Sequence, residues 1–367
     1  MRGGAQQAKP VQAARPAAQA GSRGGGPAAA GGRGHGGRAA GAPGRPGMVR
    51  DALGALALVI LLAALPLAGW QGNLRLLFTT LLWTTCSIAW NLVGGFAGQV
   101  SFGFAVFYGL GAYTAALLIT AGGVHPYVSF AGAALVAAVA SLLIGLPTFR
   151  LRGPYFAIAT IGVNEAVRVV MNNLQFIGAA SGYRVMERAR FVMEEHYLTA
   201  VVLFAVALLA SVLVARSRFG LALQAIRDDE DAAADVGINP FLHKLAVHAL
   251  AAALVGAAGG IYARYAAFID PSGVFNFNNS VSILLMPVIG GLATVWGPVI
   301  GGAVYGIVQE ELVARFTDLH LGIYGALLIL IILFEPGGVM GLARRVAAAV
   351  GRKRPADAAV PAGGVRA

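Results

Sequence analysis

The stretch that reads most directly as chemistry is SRFGLALQAIRDDEDAAADVGINPFLHK, residues 217–244. Four consecutive acids, Asp228, Asp229, Glu230 and Asp231, precede three alanines, Ala232 to Ala234. Acids complement the positive end of a helix dipole, and Asp228 or Asp229 can cap the first free N–H groups. Gly237 offers the left-handed conformation that ends a helix, and Pro240 is expected to prevent it resuming. The segment thus predicts a short helix over 228–236 with a smooth alanine face that would fit a cleft on another protein. A solvated acidic turn is the plainer reading of the same residues.

Two further clusters sit inside apolar sequence. GGFAGQVSFG (94–103) places Gln99 and Ser101 in a glycine-rich break, and broken helices at membrane depth require protein or a water-filled cavity around them. Asn164, Glu165 and Arg168 lie together, with Glu165 and Arg168 at i, i+3 spacing on one helical face. Ionisable groups at such depth are expected to face a bundle interior or cavity, either lining a path or locking helices as a structural ion pair. Catalytic patterns are absent from the sequence. None of the three lysines (Lys9, Lys244, Lys353) completes a G-x-x-x-x-G-K-[ST] loop, so any ATP use needs a separate subunit. The six histidines form no H-E-x-x-H, and no serine lies in G-x-S-x-G. Neither a catalytic centre nor a bound cofactor or metal is expected. Cys86 is the sole cysteine, which excludes an internal disulfide and predicts a small core residue.

The elements that must carry these groups are membrane spans. Of 367 residues, 57% are hydrophobic and 12% charged, far fewer than the quarter or so usual in soluble domains. About 20 apolar residues cross the hydrocarbon core. Stretches that qualify are 53–70, 76–94, 103–121, 127–147, 154–173, 197–215, 245–267, 281–296, 298–313 and 322–340. The fold class expected is therefore an all-α polytopic transmembrane bundle of about ten spans. Gly290, Gly291, Gly297 and Pro298 divide the region 281–313, where eight or nine crossings with re-entrant segments would fit the same pattern.

The net charge of +11 resides at the ends. Residues 1–50 hold eight Lys/Arg and no acid, and residues 341–367 hold six with Asp357 as the one acid. Basic ends flanking an apolar body are the positive-inside pattern, which puts both termini in the cytoplasm, requires an even number of spans and argues against nucleic acid. By the same logic Arg150, Arg152 and the segment 217–244 face inward, and 174–196 faces outward as a landing surface for a soluble partner. Residues 1–50, rich in Gly, Ala, Arg and Pro, are expected to be disordered, with translation starting at Met48 as one explanation of the tail; 51–341 is the membrane domain and 342–367 a second basic tail. GGFA (94–97) and GGLA (290–293) fall on the same side in this topology, so they are not equivalent positions of an inverted repeat.

Four blocks in order resemble the LivM-type branched-chain amino-acid permeases of ABC importers: NLVGGFAGQVSFGFAVFYGLGAYTAALL (91–118), RGPYFAIATIGVNEAVRVVMNN (152–173), AIRDDEDAAADVGIN (225–239) and LLMPVIGGLATVWGPVIGG (284–302). The resemblance spans about residues 50–345. Asp231-Ala232-Ala233 followed by Gly237 matches the Glu-Ala-Ala-x-x-x-Gly spacing of the loop such permeases insert into their ATPases, departing in Asp for Glu and in Ile238-Asn239-Pro240 for a later Leu-Pro. The resemblance implies a permease that works by alternating access, partnered by two ABC ATPase subunits, a second related permease and an external solute-binding protein in the bacterial inner membrane. The ATPase-coupling residues it implies are Asp228, Asp229, Asp231, Ala232, Ala233, Gly237 and Asn239. Leucine, isoleucine and valine are the implied cargo; urea and short amides are carried by close relatives. A secondary transporter or channel explains the spans but not the surface helix, and an intramembrane enzyme lacks its residues.

Overall fold

The computed structural model describes residues 45–66, 73–186, 191–315, 338–342 and 345. The two basic tails, apart from 45–50, 342 and 345, and the tenth expected span at 322–340, apart from 338–340, lie outside the described residues.

Twelve α-helices are described between residues 45 and 315. They are α1 (Arg45–Ala64), α2 (Leu74–Asn91), α3 (Phe104–Thr120), α4 (Pro126–Thr148), α5 (Pro154–Asn173), α6 (Met193–Arg216), α7 (Arg218–Asp228), α8 (Glu230–Asp235), α9 (Pro240–Ala266), α10 (Pro271–Val274), α11 (Phe277–Gly290) and α12 (Gly297–Arg315). A π-helical turn, Leu92–Phe96, extends α2. Two strands of two residues, β1 (Tyr183–Arg184) and β2 (Phe268–Ile269), pair antiparallel. Proline opens α4, α5, α9 and α10, where a missing N–H costs nothing and its fixed φ suits the first turn. Pro240 is therefore a helix start and not the stop expected of it, with Asn239 capping α9 through Leu242 N at 3.1 Å.

Five of these segments are long and apolar enough to cross a membrane: Leu74–Phe96, Pro126–Thr148, Met193–Arg216, Pro240–Ala266 and Pro271–Gly290. The chain is a helical, multi-pass membrane protein. Its centre is α9, packed against α3 and α4. Small residues permit this: a Cβ on Gly111 would lie 2.0 Å from the Gly256 carbonyl oxygen, and one on Gly259 2.0 Å from that of Tyr108. Backbones this close gain dispersion contacts that lipid cannot outcompete. Cys86 is fully buried in the same core.

Side-chain bonds define the two ends of the bundle. At one end Arg216 pairs with Asp51, and Trp296 Nε1 lies 3.4 Å from Asp51 Oδ1. Arg152 pairs with Asp231, Lys244 with Glu230, and Arg227 Nη1 donates to Gly95 O at 3.3 Å. At the other end Tyr197 donates to Leu62 O, Arg264 pairs with Glu195, and β1 pairs with β2. Segments 217–244 and 174–186 therefore lie at opposite ends. The GGFA and GGLA segments meet at the first end, where Asn91 accepts from Ala293 N at 3.0 Å and donates to Thr294 O at 2.9 Å.

Helices α10 and α11 form one broken crossing. Phe275, between them, stacks on Tyr113 at 6.0 Å and accepts a 3.0 Å hydrogen bond from Asn164 Nδ2. Tyr113 and Asn164 lie near the midpoints of α3 and α5, so the break sits at mid-depth. Ser280 then accepts from Ala105 N at 2.9 Å. After a turn at 291–296, α12 returns beside α2 with Gly302 against Thr84 and Gly306 against Thr80. The region 281–313 thus contains two helices, but α11 starts at 277 in mid-bundle and not at a bundle end.

Candidate functional site

The acidic-alanine segment folds as two helices. Ser217 caps α7 by accepting from Gly220 N at 3.0 Å; the expectation of a single helix over 228–236 missed this amphipathic stretch. Asp229 then breaks the chain in an extended conformation, and its Oδ1 accepts from Asp231 N and Ala232 N at 3.0 and 2.9 Å. The four acids divide the work: Asp229 caps, Glu230 and Asp231 occupy the first turn of α8, and Asp228 ends α7 paired with Arg227. Gly237 takes φ +88°, its N–H donates to Ala234 O at 2.9 Å, and Ile238 N donates to Ala233 O at 3.1 Å. That is the Schellman arrangement, which satisfies the last carbonyls of a helix.

Three contacts seat this unit on the bundle, and none could be read from helical spacing. Glu230 Oε2 lies 2.5 Å from Lys244 Nζ, whose side chain is 2% exposed. Asp231 accepts two hydrogen bonds from Arg152, at 2.9 and 3.1 Å, in the loop between α4 and α5. Both partners are exposed, so this bridge orients more than it stabilises. It raises the pKa of the Arg152 guanidinium, first through the hydrogen bonds Arg152 donates to Asp231 and second through the carboxylate's charge. Arg227 reaches Gly95 in the π-helical turn, which links α7 directly to the 94–103 break.

The alanine face turns differently from expectation. Ala233 is 3% exposed and packs within the chain, while Ala232, Ala234 and Asp235 face outward. Val236, 75% exposed, adds an apolar side chain to that outward face. A bulky residue at Ala233 would disturb the seat of α8, so a probe of the outer face belongs at Ala232.

The structure does not gather Gln99, Ser101, Asn164, Glu165 and Arg168 into one site. Gln99 is half-buried at the end that carries α7 and α8, and Gly98 before it has φ +71°. Ser101 is buried, its carbonyl accepting from Trp90 Nε1 at 2.7 Å and its Oγ from Gly103 N at 3.3 Å. With Thr148, Thr160 and His248 it borders a cavity of about 10 Å³, room for about one water. Asn164 is buried at the α10–α11 break. Glu165 and Arg168 do pair, through both guanidinium Nε and Nη2, but on the outer face of α5, with side chains 53% and 31% exposed. Asn164 takes the inward position; Arg168, about 40° round the helix from it, is half-buried, and Glu165, about 100° round, is exposed.

The pair gives a direct prediction. Glu165→Ala alone is expected to lower the yield of membrane-inserted protein more than Glu165→Ala with Arg168→Ala, because one change strands a charge in an apolar setting. Equal yields by quantitative immunoblot would show that the pairing carries no such penalty.

Residues 73–332 match the family described as branched-chain amino acid transport system, permease component. The high-affinity branched-chain amino acid transport system permease protein LivM of Escherichia coli strain K12 is 30% identical over 326 residues, covering 81% of this chain and 76% of that protein; LivM of Salmonella typhimurium aligns equally. The LivH permease protein of E. coli K12 is 28% identical over 142 residues, 38% of this chain and 46% of that protein. No solved structure matches.

Proposed function

Because the chain belongs to the branched-chain amino acid transport permease family, we propose that it is the membrane subunit of an ATP-driven importer of leucine, isoleucine and valine. The observation that carries this reading is α8. It is a helix capped at both ends, seated on the bundle by Glu230 and Arg152 contacts, with Ala232, Ala234 and Val236 facing out. In this reading two ABC ATPase subunits receive that face, a second related permease completes the membrane part, and an external binding protein delivers solute over 174–196. The end with α7 and α8 is cytoplasmic, as are both termini, in a bacterial inner membrane crossed about ten times. Closure of the ATPases on ATP shifts α8; Arg227, bonded to Gly95, passes the shift to the 94–103 break.

Affinity purification of the tagged full chain from native membranes tests the assembly. Two P-loop ATPases and a second permease should co-purify; a chain that purifies alone would overturn it. Topology is tested by cysteine labelling at Asp235→Cys and Ala180→Cys. Position 178 is unsuitable, since Gly178 has φ +86° and a Cβ there would meet Gly182 O at 2.0 Å. A membrane-impermeant maleimide added outside intact cells should label position 180 and not 235; labelling of both from one side would contradict the arrangement.

A further inference from the structure

Small side chains leave a gap between α4 and α6 at the end of the bundle opposite α8. Ala131 and Ala134 of α4, Val202 and Val206 of α6, and Ala257 of α9 border a groove of about 450 Å³ there. Of its polar lining groups, Thr199 donates to Glu195 O at 2.7 Å, which leaves Tyr127 and Glu195 as the polar end. From Glu195 to Val206, α6 rises about 16 Å, half of a hydrocarbon core of about 30 Å. The groove therefore runs from one membrane surface to mid-depth, the reach of one lipid chain in one leaflet. A partner transmembrane helix would call for a seam along the whole of α4 and α6. The chain after α12 returns at Gly338 against Ile289 and Gly291, neither of which borders the groove.

The mouth selects the headgroup. Glu195 Oε1 accepts from Arg264 Nη1 at 2.9 Å and from Tyr127 OH at 3.4 Å. The Arg264 side chain, 4% exposed, lies behind the carboxylate, whereas Glu195 is 38% exposed and Glu194 beside it is exposed as well. A bound molecule thus meets negative charge, which attracts an ammonium and repels a headgroup that carries phosphate alone. We propose that this groove binds one glycerophospholipid with an ammonium headgroup, an acyl chain along the alanines and the ammonium at Glu195. The inference needs only a multi-pass membrane chain and is independent of the solute moved.

Phosphatidylethanolamine is the probe. The full chain, purified from native membranes in mild detergent, should retain one such lipid by native mass spectrometry and lipid extraction. Ala134→Trp and Val202→Trp fill the groove and should lose it. Leu135→Trp, on the exposed face of α4 outside the groove, should keep it. After delipidation, phosphatidylethanolamine should raise the unfolding temperature and phosphatidylglycerol with the same chains should not. Glu195→Gln, which leaves Arg264 as the charge at the mouth, should remove that preference. A chain that retains no lipid, or tryptophan variants that retain it undiminished, would overturn the site. Preferential retention of phosphatidylglycerol would overturn the headgroup. The photo-crosslinker p-benzoylphenylalanine at Val202 should give lipid adducts; an adduct with protein, from this chain or another, would overturn a lipid as the occupant.

Discussion

Gly237→Val is expected to abolish both ATPase retention and solute uptake while leaving the amount of protein in the membrane unchanged. Gly237 closes α8 at φ +88° with open space around its Cα, so a side chain would fit but its backbone would not. Left-handed backbone costs a non-glycine residue roughly 1–2 kcal/mol, more for a β-branched one, enough to shift a docking equilibrium by about five- to thirtyfold. Loss of the turn also frees the Ala233 and Ala234 carbonyls and re-aims the chain entering α9. Ala232→Trp should give the same phenotype for another reason, since it adds bulk to the outward face without touching the turn. Co-purification of ATPases and uptake of labelled leucine in cells are the readouts. If both variants keep their ATPases and transport normally, α8 is a passive turn.

Glu230→Ala should be the most damaging single change among the acids of this segment. It leaves the Lys244 ammonium, 2% exposed, without the carboxylate 2.5 Å away. Breaking a buried pair by removing one partner costs about 3–5 kcal/mol, whereas replacing both by apolar groups is often neutral. Detergent-solubilised Glu230→Ala should therefore unfold at a lower temperature than the parent, and Glu230→Leu with Lys244→Met should restore most of the loss. Asp231→Ala, which removes only an exposed bridge to Arg152, should change thermal stability little. A double variant no better than the single would show that the contact does not anchor α8.

Apolar runs located several crossings to within a few residues, because a span must hold about 20 such residues whatever its neighbours do. The span expected at 76–94 is the segment Leu74–Phe96, and that at 127–147 is α4, Pro126–Thr148. Local chemistry was equally legible at Gly237, where glycine after a helix implies a positive φ, and at Asp229, one of two acids expected to cap. What stayed hidden depends on partners distant in sequence. Glu230 and Lys244 are 14 residues apart, a spacing that marks no helical face, and Arg152 is 79 from Asp231. Which way Ala233 turns follows from those anchors and not from the alanine run. Proline both ends and opens helices, so Pro240 alone does not mark an opening; Asn239, a side-chain cap just before it, is the signal that does. The exposure of Glu165 is not legible in the sequence, because hydrophobicity along α5 does not say which of its faces the same chain covers.

In the proposed function this chain moves branched-chain amino acids across a membrane only when coupled to ATPases through α8. Its most direct test is uptake of labelled leucine, with urea as the comparison solute, into proteoliposomes holding the purified complex and loaded with its binding protein on the solute side. Leucine uptake should require ATP on the α8 side and disappear with Gly237→Val. Uptake that proceeds without ATP or ATPases, or a complex that carries urea and not leucine, would contradict it.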